Sequence, residues 1–210
     1  MSQTGAAQRF LALGDSYTIG EGVAADERWP LQLARALRAR DIAIGDPQII
    51  ATTGWTTDEL AAAMDAATFT PPYALVTLLI GVNNQYRGRS IENYREEFAG
   101  LLGRAIDLAG GDAARVIIVS IPDWGVTRFA RDGGRDAVQI GYEIDAFNTV
   151  ARAISTKHGN AFVDITPASR EAGDHDDMLV ADGLHPSSLQ YALWTRLIEP
   201  AVLRALNSSA

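Results

Sequence analysis

Tyr73-Ala74-Leu75-Val76-Thr77-Leu78-Leu79-Ile80, followed at once by Gly81-Val82-Asn83-Asn84, is the stretch that decides the fold. A strand with one wet face alternates apolar and polar side chains. A run that is apolar nearly throughout belongs to a strand covered on both faces, as in a parallel sheet between two layers of helices. The run is too short to cross a bilayer, which takes about 20 residues. Similar segments at residues 10–13, 48–51, 115–121 and 161–165 predict four further strands.

Helical patterns lie between these segments. Pro30 suits a first helical turn ahead of Leu33 and Leu37. Thr57 is expected to cap a helix running to about Ala67. Ser90 is expected to cap another, whose Ile91, Tyr94, Phe98, Leu101, Ala105 and Leu108 form one apolar stripe. Ile140, Ile144, Phe147, Ala151 and Ile154 mark a helix over about 136–158 that Gly159 can end. A last helix is expected from Ser188 until Pro200 interrupts it. Strands alternating with helices predict a three-layer α/β/α sandwich around a five-stranded parallel sheet. The 210 residues suit one domain, with residues 1–8 expected as a disordered tail.

Composition narrows the function classes. Hydrophobic residues make up 47 % of the chain, enough for a sizeable core. There are no cysteines, which removes disulfides, thiolate metal sites and cysteine nucleophiles. The net charge of −8 and a pI near 4.8 leave no basic excess for a nucleic-acid partner. Residues 1–8 lack the apolar segment of a signal peptide, so the expected compartment is the cytoplasm.

In a parallel sheet, ligands bind beyond the carboxyl ends of the strands. That rule selects Gly14-Asp15-Ser16, Thr53-Gly54-Trp55, Gly81-Val82-Asn83-Asn84, the segment 122–134, and Asp182-Gly183-Leu184-His185-Pro186. Ser16 needs a base to become a nucleophile. Of the three histidines, His158 falls at a helix end and His175 in the acidic run 174–177, which leaves His185. Asp182, three positions earlier, can reach back to hold one imidazole tautomer and stabilise the imidazolium. Acyl transfer also needs donors for a developing oxyanion; the candidates are the Ser16 and Gly54 backbone N–H groups and the Asn83 amide.

Other chemistries use the same residues. Asp15, Asp182 and His185 are the ligand types of a hard-metal phosphoesterase. A non-catalytic binding module could occupy the same crevice. Acyl transfer to an alcohol would share the acyl-enzyme with hydrolysis. For a substrate, the sheet-edge segments offer Tyr17, Trp55, Asn84, Tyr86, Trp124 and Phe129. Arg87 and Arg89 either meet an anionic group or pair with surface carboxylates such as Glu92. The segment 122–135 is longer than an ordinary strand-to-helix connection and is expected to form a specificity loop. Trp124 and Phe129 would cover an acyl chain, Arg128 and Arg131 would hold a polar portion, and Gly133-Gly134 would act as the hinge.

The set of segments resembles the SGNH, or GDSL, hydrolase family over about residues 9–200. Gly14-Asp15-Ser16 is similar to its first block, Gly54 to its oxyanion glycine, Gly81-Val82-Asn83-Asn84 to its Gly-x-Asn-Asp block, and Asp182-Gly183-Leu184-His185-Pro186 to its last block. Tyr17 stands where the GDSL name has Leu, and Asn84 where the family usually has Asp. The resemblance implies a flavodoxin-like fold and hydrolysis of small-molecule carboxylic esters or thioesters. It implies no cofactor and no metal. Ser16, Asp182 and His185 would be catalytic, and Ser16, Gly54 and Asn83 would form the oxyanion hole.

Overall fold

The computed structural model describes residues 7–207. Five strands, β1 (Phe10–Gly14), β2 (Gln48–Ala51), β3 (Leu75–Leu79), β4 (Val116–Val119) and β5 (Ala161–Val163), form one parallel sheet in the order β2-β1-β3-β4-β5. Every residue of β1, β3 and β4 is buried, while the edge strands β2 and β5 are largely half-buried. The central apolar runs are therefore the strands covered on both faces, as their composition requires.

The helices are α1 (Ser16–Ile19), α2 (Trp29–Arg38), α3 (Thr57–Ala66), α4 (Val82–Tyr86), α5 (Ile91–Leu108), α6 (Arg128–Asp132), α7 (Ala137–His158), α8 (Thr166–Ala172) and α9 (Ser188–Asn207). α2 packs on α9, which also touches α8; α5 packs between α3 and α7. These two groups form the outer layers of the three-layer sandwich. Leu33 and Leu37 of α2 bury together with Trp194, Ile198 and Val202 of α9, and Tyr94, Phe98 and Leu101 of α5 bury on the other side. No described helix is long and apolar enough to cross a membrane.

The strand order places a switch point between β1 and β3. The chain leaves β1 towards β2 on one side and later adds β3 on the other, so a crevice opens beyond the carboxyl ends of β1 and β3. Ser16 opens α1 and Asn83 lies in the first turn of α4 at that crevice.

Several expectations are corrected. α9 continues through Pro200 to Asn207. A proline inside a helix removes one ladder bond and costs about 3 kcal/mol, but Ile198 before it and Ala201 and Val202 after it are buried, so both halves stay seated. The cap of α3 is Thr56, whose N–H donates to Glu59 Oε2 at 2.9 Å, and Thr57 is buried inside the first turn. The segment 122–135, expected as one long loop, contains a 3₁₀ turn (Trp124–Val126) and α6. The expected tail reaches too far, because Gln8 pairs with the stretch around Ile44 and donates to Ala43 O at 2.7 Å. Residues 1–6 of that tail lie outside the described residues.

Candidate active site

Each strand exit at the crevice delivers a polar group. After β1, Asp15 caps α1: its Oδ1 accepts the Tyr17 N–H at 3.0 Å. Ser16 is the first helical residue and is 4 % exposed. After β2, Gly54 adopts φ +86°, in the left-handed region that favours glycine. After β3, Gly81 must be glycine for a second reason. A Cβ there would lie 2.6 Å from the Tyr94 ring and 2.9 Å from Ile121 Cδ1, so only a bare backbone lets α4 start this close to the core.

Between α8 and α9 a loop carries Asp182 and His185. It is closed by a bridge between Leu179 and Pro186 and by Val180 N–H donating to His185 O at 2.9 Å. Asp182 Oδ1 accepts the N–H groups of Leu184 (2.8 Å) and His185 (3.0 Å), and Oδ2 lies 2.6 Å from His185 Nδ1. Burial works against the Asp182 charge, but the bonds from His185 and Leu184 outweigh it and hold the carboxyl below its ordinary range. An ionised carboxylate only accepts, so Nδ1 carries the proton of this contact, and in the neutral imidazole that leaves the lone pair on Nε2. Behind the imidazole, the Tyr17 ring centre is 5.7 Å from that of His185 and 6.0 Å from Trp194.

Ser16, Gly54, Asn83 and His185 all line one cavity of about 230 Å³. Among the described residues the Ser16 and Gly54 N–H groups have no acceptor. Asn83 Nδ2 gives one hydrogen to Trp55 O at 2.9 Å, which leaves its second hydrogen free. Three donors and one hydroxyl thus converge with a histidine whose tautomer is held. Among the described residues the His185 ring bonds to Asp182, and no hydrogen bond joins it to the Ser16 hydroxyl.

A sequence profile of the GDSL-like lipase/acylhydrolase family matches residues 12–193. The chain belongs to this family. No curated protein sequence matches it significantly. Among solved structures, TesA superposes with a TM-score of 0.73 at 20 % identity, covering 95 % of this chain and all of TesA. The lipase/acylhydrolase of Enterococcus faecalis gives 0.72 at 21 %, covering 93 % and 95 % of the two chains. The psychrotrophic esterase EstA from Pseudoalteromonas sp., in a structure inhibited by monoethylphosphonate, gives 0.71 at 17 %, covering 95 % and 99 %. At these identities the superpositions speak to the fold, and the family match makes the protein a carboxylic ester hydrolase.

The segments that resemble the GDSL blocks thus meet in one place, but not every residue singled out beside them does. Tyr17, Tyr86, Trp124 and Phe129 line the cavity; Trp55 and Asn84 do not. Trp55 packs half-buried against the core, and its carbonyl accepts from Asn83 Nδ2. Asn84 is fully buried: its Oδ1 accepts the Thr57 N–H at 3.0 Å and its Nδ2 donates to Thr57 Oγ1 at 2.6 Å. Asp15, the third residue of the metal reading, is fully buried under α1, not open to the cavity.

Trp124 is 2 % exposed and donates through Nε1 to Gln85 Oε1 at 2.8 Å, so it is a fixed wall and not a moving cover. Phe129 (39 % exposed) and Tyr86 (46 %) stand at the rim, their ring centres 6.2 and 5.3 Å from that of Trp124. Arg128 and Arg131 pair with Asp176 and Asp174. Arg135 instead lies over the rings of Tyr86 and Trp124, at 5.2 and 5.0 Å. Arg87 and Arg89 pair with Glu59 (3.3 Å) and Asp58 (2.6 Å), not with Glu92. Thr53, Val82 and Leu184 complete the cavity unanticipated. Each lies inside a sheet-edge segment, which was the only sequence signal for them.

Proposed function

We propose that the protein hydrolyses carboxylic esters of short acyl groups through an acyl-Ser16 intermediate. The observation that carries this reading is the convergence, at one cavity, of the Ser16 hydroxyl, the Asp182-held imidazole and three hydrogen-bond donors free to point inward. In the first half-reaction His185 Nε2 takes the Ser16 Oγ proton as Oγ adds to the ester carbonyl. The negative charge moves to the carbonyl oxygen, where the Ser16 N–H, the Gly54 N–H and the Asn83 amide meet it. The C–O bond to the alcohol then breaks, and the alcohol leaves with the proton from His185. In the second half water gives its proton to His185 and adds to the acyl carbon. Ser16 Oγ departs with that proton, and the acid is released. Asp182 stays ionised and steadies the imidazolium.

The acyl size follows from the walls. Trp124 is fixed by Gln85 and by its neighbours Tyr86 and Phe129, so the cavity of about 230 Å³ ends against rings that do not need to move. Two measurements test the reading. A fluorophosphonate should label the protein once, at Ser16, and Ser16→Ala should not be labelled. Among p-nitrophenyl esters, kcat/KM should be greatest for acetate to butyrate. Labelling that persists in Ser16→Ala, or a preference for long chains, contradicts it.

A further inference from the structure

The turn joining β2 to α3, residues 53–56, is gripped by a side chain at every position. Thr53 Oγ1 bonds to Glu21, and the Thr56 N–H donates to Glu59 Oε2 at 2.9 Å. The two central carbonyls are taken from one short helix. Asn83 Nδ2 donates to Trp55 O at 2.9 Å, and Arg87 Nη2 donates to Gly54 O at 2.6 Å. Asn83 and Arg87 are four residues apart, one helical turn, and the Arg87 N–H closes that turn on Asn83 O at 3.0 Å.

We propose that Arg87 is a positioning residue for the oxyanion hole, anchoring Gly54 through its carbonyl and so holding in place the residue whose N–H faces the cavity. Gly54 needs such a hold. It has φ +86° and no Cβ, so its flanking peptides rotate easily. Its N–H, which belongs to the Thr53–Gly54 peptide, has no partner among the described residues. That peptide is instead bounded by two anchors: the Thr53 side chain on Glu21 before it, and the Gly54–Trp55 peptide after it, where Arg87 takes the carbonyl and the Trp55 N–H donates to Thr52 O at 3.3 Å. Arg87 is itself steadied by Glu59, whose Oε1 lies 3.3 Å from Nη1 and whose Oε2 accepts the Thr56 N–H. Burial of the Arg87 side chain does not explain its place, since it is 43 % exposed. The charged donor on a backbone carbonyl does. Asn83 and Gly54, which come from different strand exits, are thereby set against each other by a single helix.

This inference rests on Ser16 being the nucleophile, and the experiment separates the two. Arg87→Ala, Arg87→Lys and Arg89→Ala are compared with the wild-type chain for p-nitrophenyl acetate hydrolysis, for the rate of fluorophosphonate labelling at Ser16, and for thermal melting. Arg89 joins the same two elements through Asp58 but touches no carbonyl of the turn, so its variant should keep the wild-type kcat. Arg87→Ala should lower kcat and the labelling rate by about tenfold to a hundredfold, less than outright loss of a donor, with KM little changed. Arg87→Lys should fall between, and millimolar guanidinium should restore part of the Arg87→Ala loss. An unchanged kcat and labelling rate overturns the assignment, and so does a rise in KM alone, which would mean contact with substrate. Should Arg87→Ala not fold, a wild-type kcat in Arg87→Asn would overturn it equally. Wild-type protein that is not labelled at Ser16 removes the nucleophile reading and this one with it. Equal labelling of wild-type and Arg87→Ala removes this one alone.

Discussion

Asp15 sits directly beneath the candidate nucleophile and should make the fold weaker as pH rises. Its carboxyl is fully buried, with Oδ1 on the Tyr17 N–H and Oδ2 without a partner among the described residues. Burial pushes its pKa from 3.8 up to about 7, against the pull of backbone N–H groups from Tyr17 and Asp15 itself. A carboxyl with a raised folded-state pKa binds its proton more tightly folded than unfolded. Between the two values the folded chain holds the proton and the unfolded chain does not. Stability from this group is therefore complete below about pH 3.8 and is lost as pH rises to about 7. About three pKa units at about 1.4 kcal/mol each give a loss of about 4 kcal/mol across the whole range, and about 2–3 kcal/mol between pH 5 and pH 8. Asp182 has a lowered pKa and the opposite sign; its contribution is lost only in acid, below this window. Asp15→Asn keeps an acceptor for the Tyr17 N–H and removes the titration. Urea denaturation of both proteins from pH 5 to pH 8 should show the wild-type chain losing about 2–3 kcal/mol more than the variant. The histidines cancel in that difference because both proteins carry them. Parallel stability curves would refute the argument and mean that Asp15 is ionised in the fold at pH 5.

Two further outcomes separate the cavity's chemistry from its walls. Asn83→Ala should lower kcat by about a hundredfold or more with KM nearly unchanged, as for loss of one oxyanion donor; steady-state kinetics that show mainly a KM effect would make Asn83 a substrate contact. Trp124→Ala should cost about 3–5 kcal/mol of stability in thermal or urea melts, because the ring is buried. Phe129→Ala, at the rim, should leave the melt nearly unchanged and shift kcat/KM towards longer acyl chains. Equal loss for acetate and longer esters would instead make Phe129 a support for the catalytic groups.

Much of this arrangement was legible in the chain because it depends on burial and chain order. Leu75–Leu79 reads as a doubly covered strand because it is one, and the exits of such strands are where a parallel sheet presents its ligands. Ser16, Gly54, Asn83, Asp182 and His185 could be named because each follows such a strand or lies in the last loop on that edge. What failed to show depends on direction and distance. Trp55 and Asn84 occupy the right segments, but sequence position does not say which way a side chain points, and theirs turn away from the cavity. Arg87 was visible only as a charge beside a block, since its partner carbonyl is far away in the chain. α1, α4 and α6 are too short to display a helical period. Pro200 misled because the cost of a proline is local, while the packing that offsets it comes from residues on both sides.

The loop that carries Asp182 and His185 lies just ahead of α9, the last described helix, whereas Ser16 opens the first. α9 is also the partner on which α2 packs. During synthesis the Ser16 hydroxyl, the Gly54 turn and α4 therefore emerge before Asp182 and His185. On the proposed mechanism, a nascent or truncated chain that stops before residue 182 holds the Ser16 hydroxyl and the three donors but lacks the group that takes the proton. On that mechanism the base arrives last, just ahead of the helix that closes the sandwich on α2, so activity would report that the final stretch of the described fold is in place.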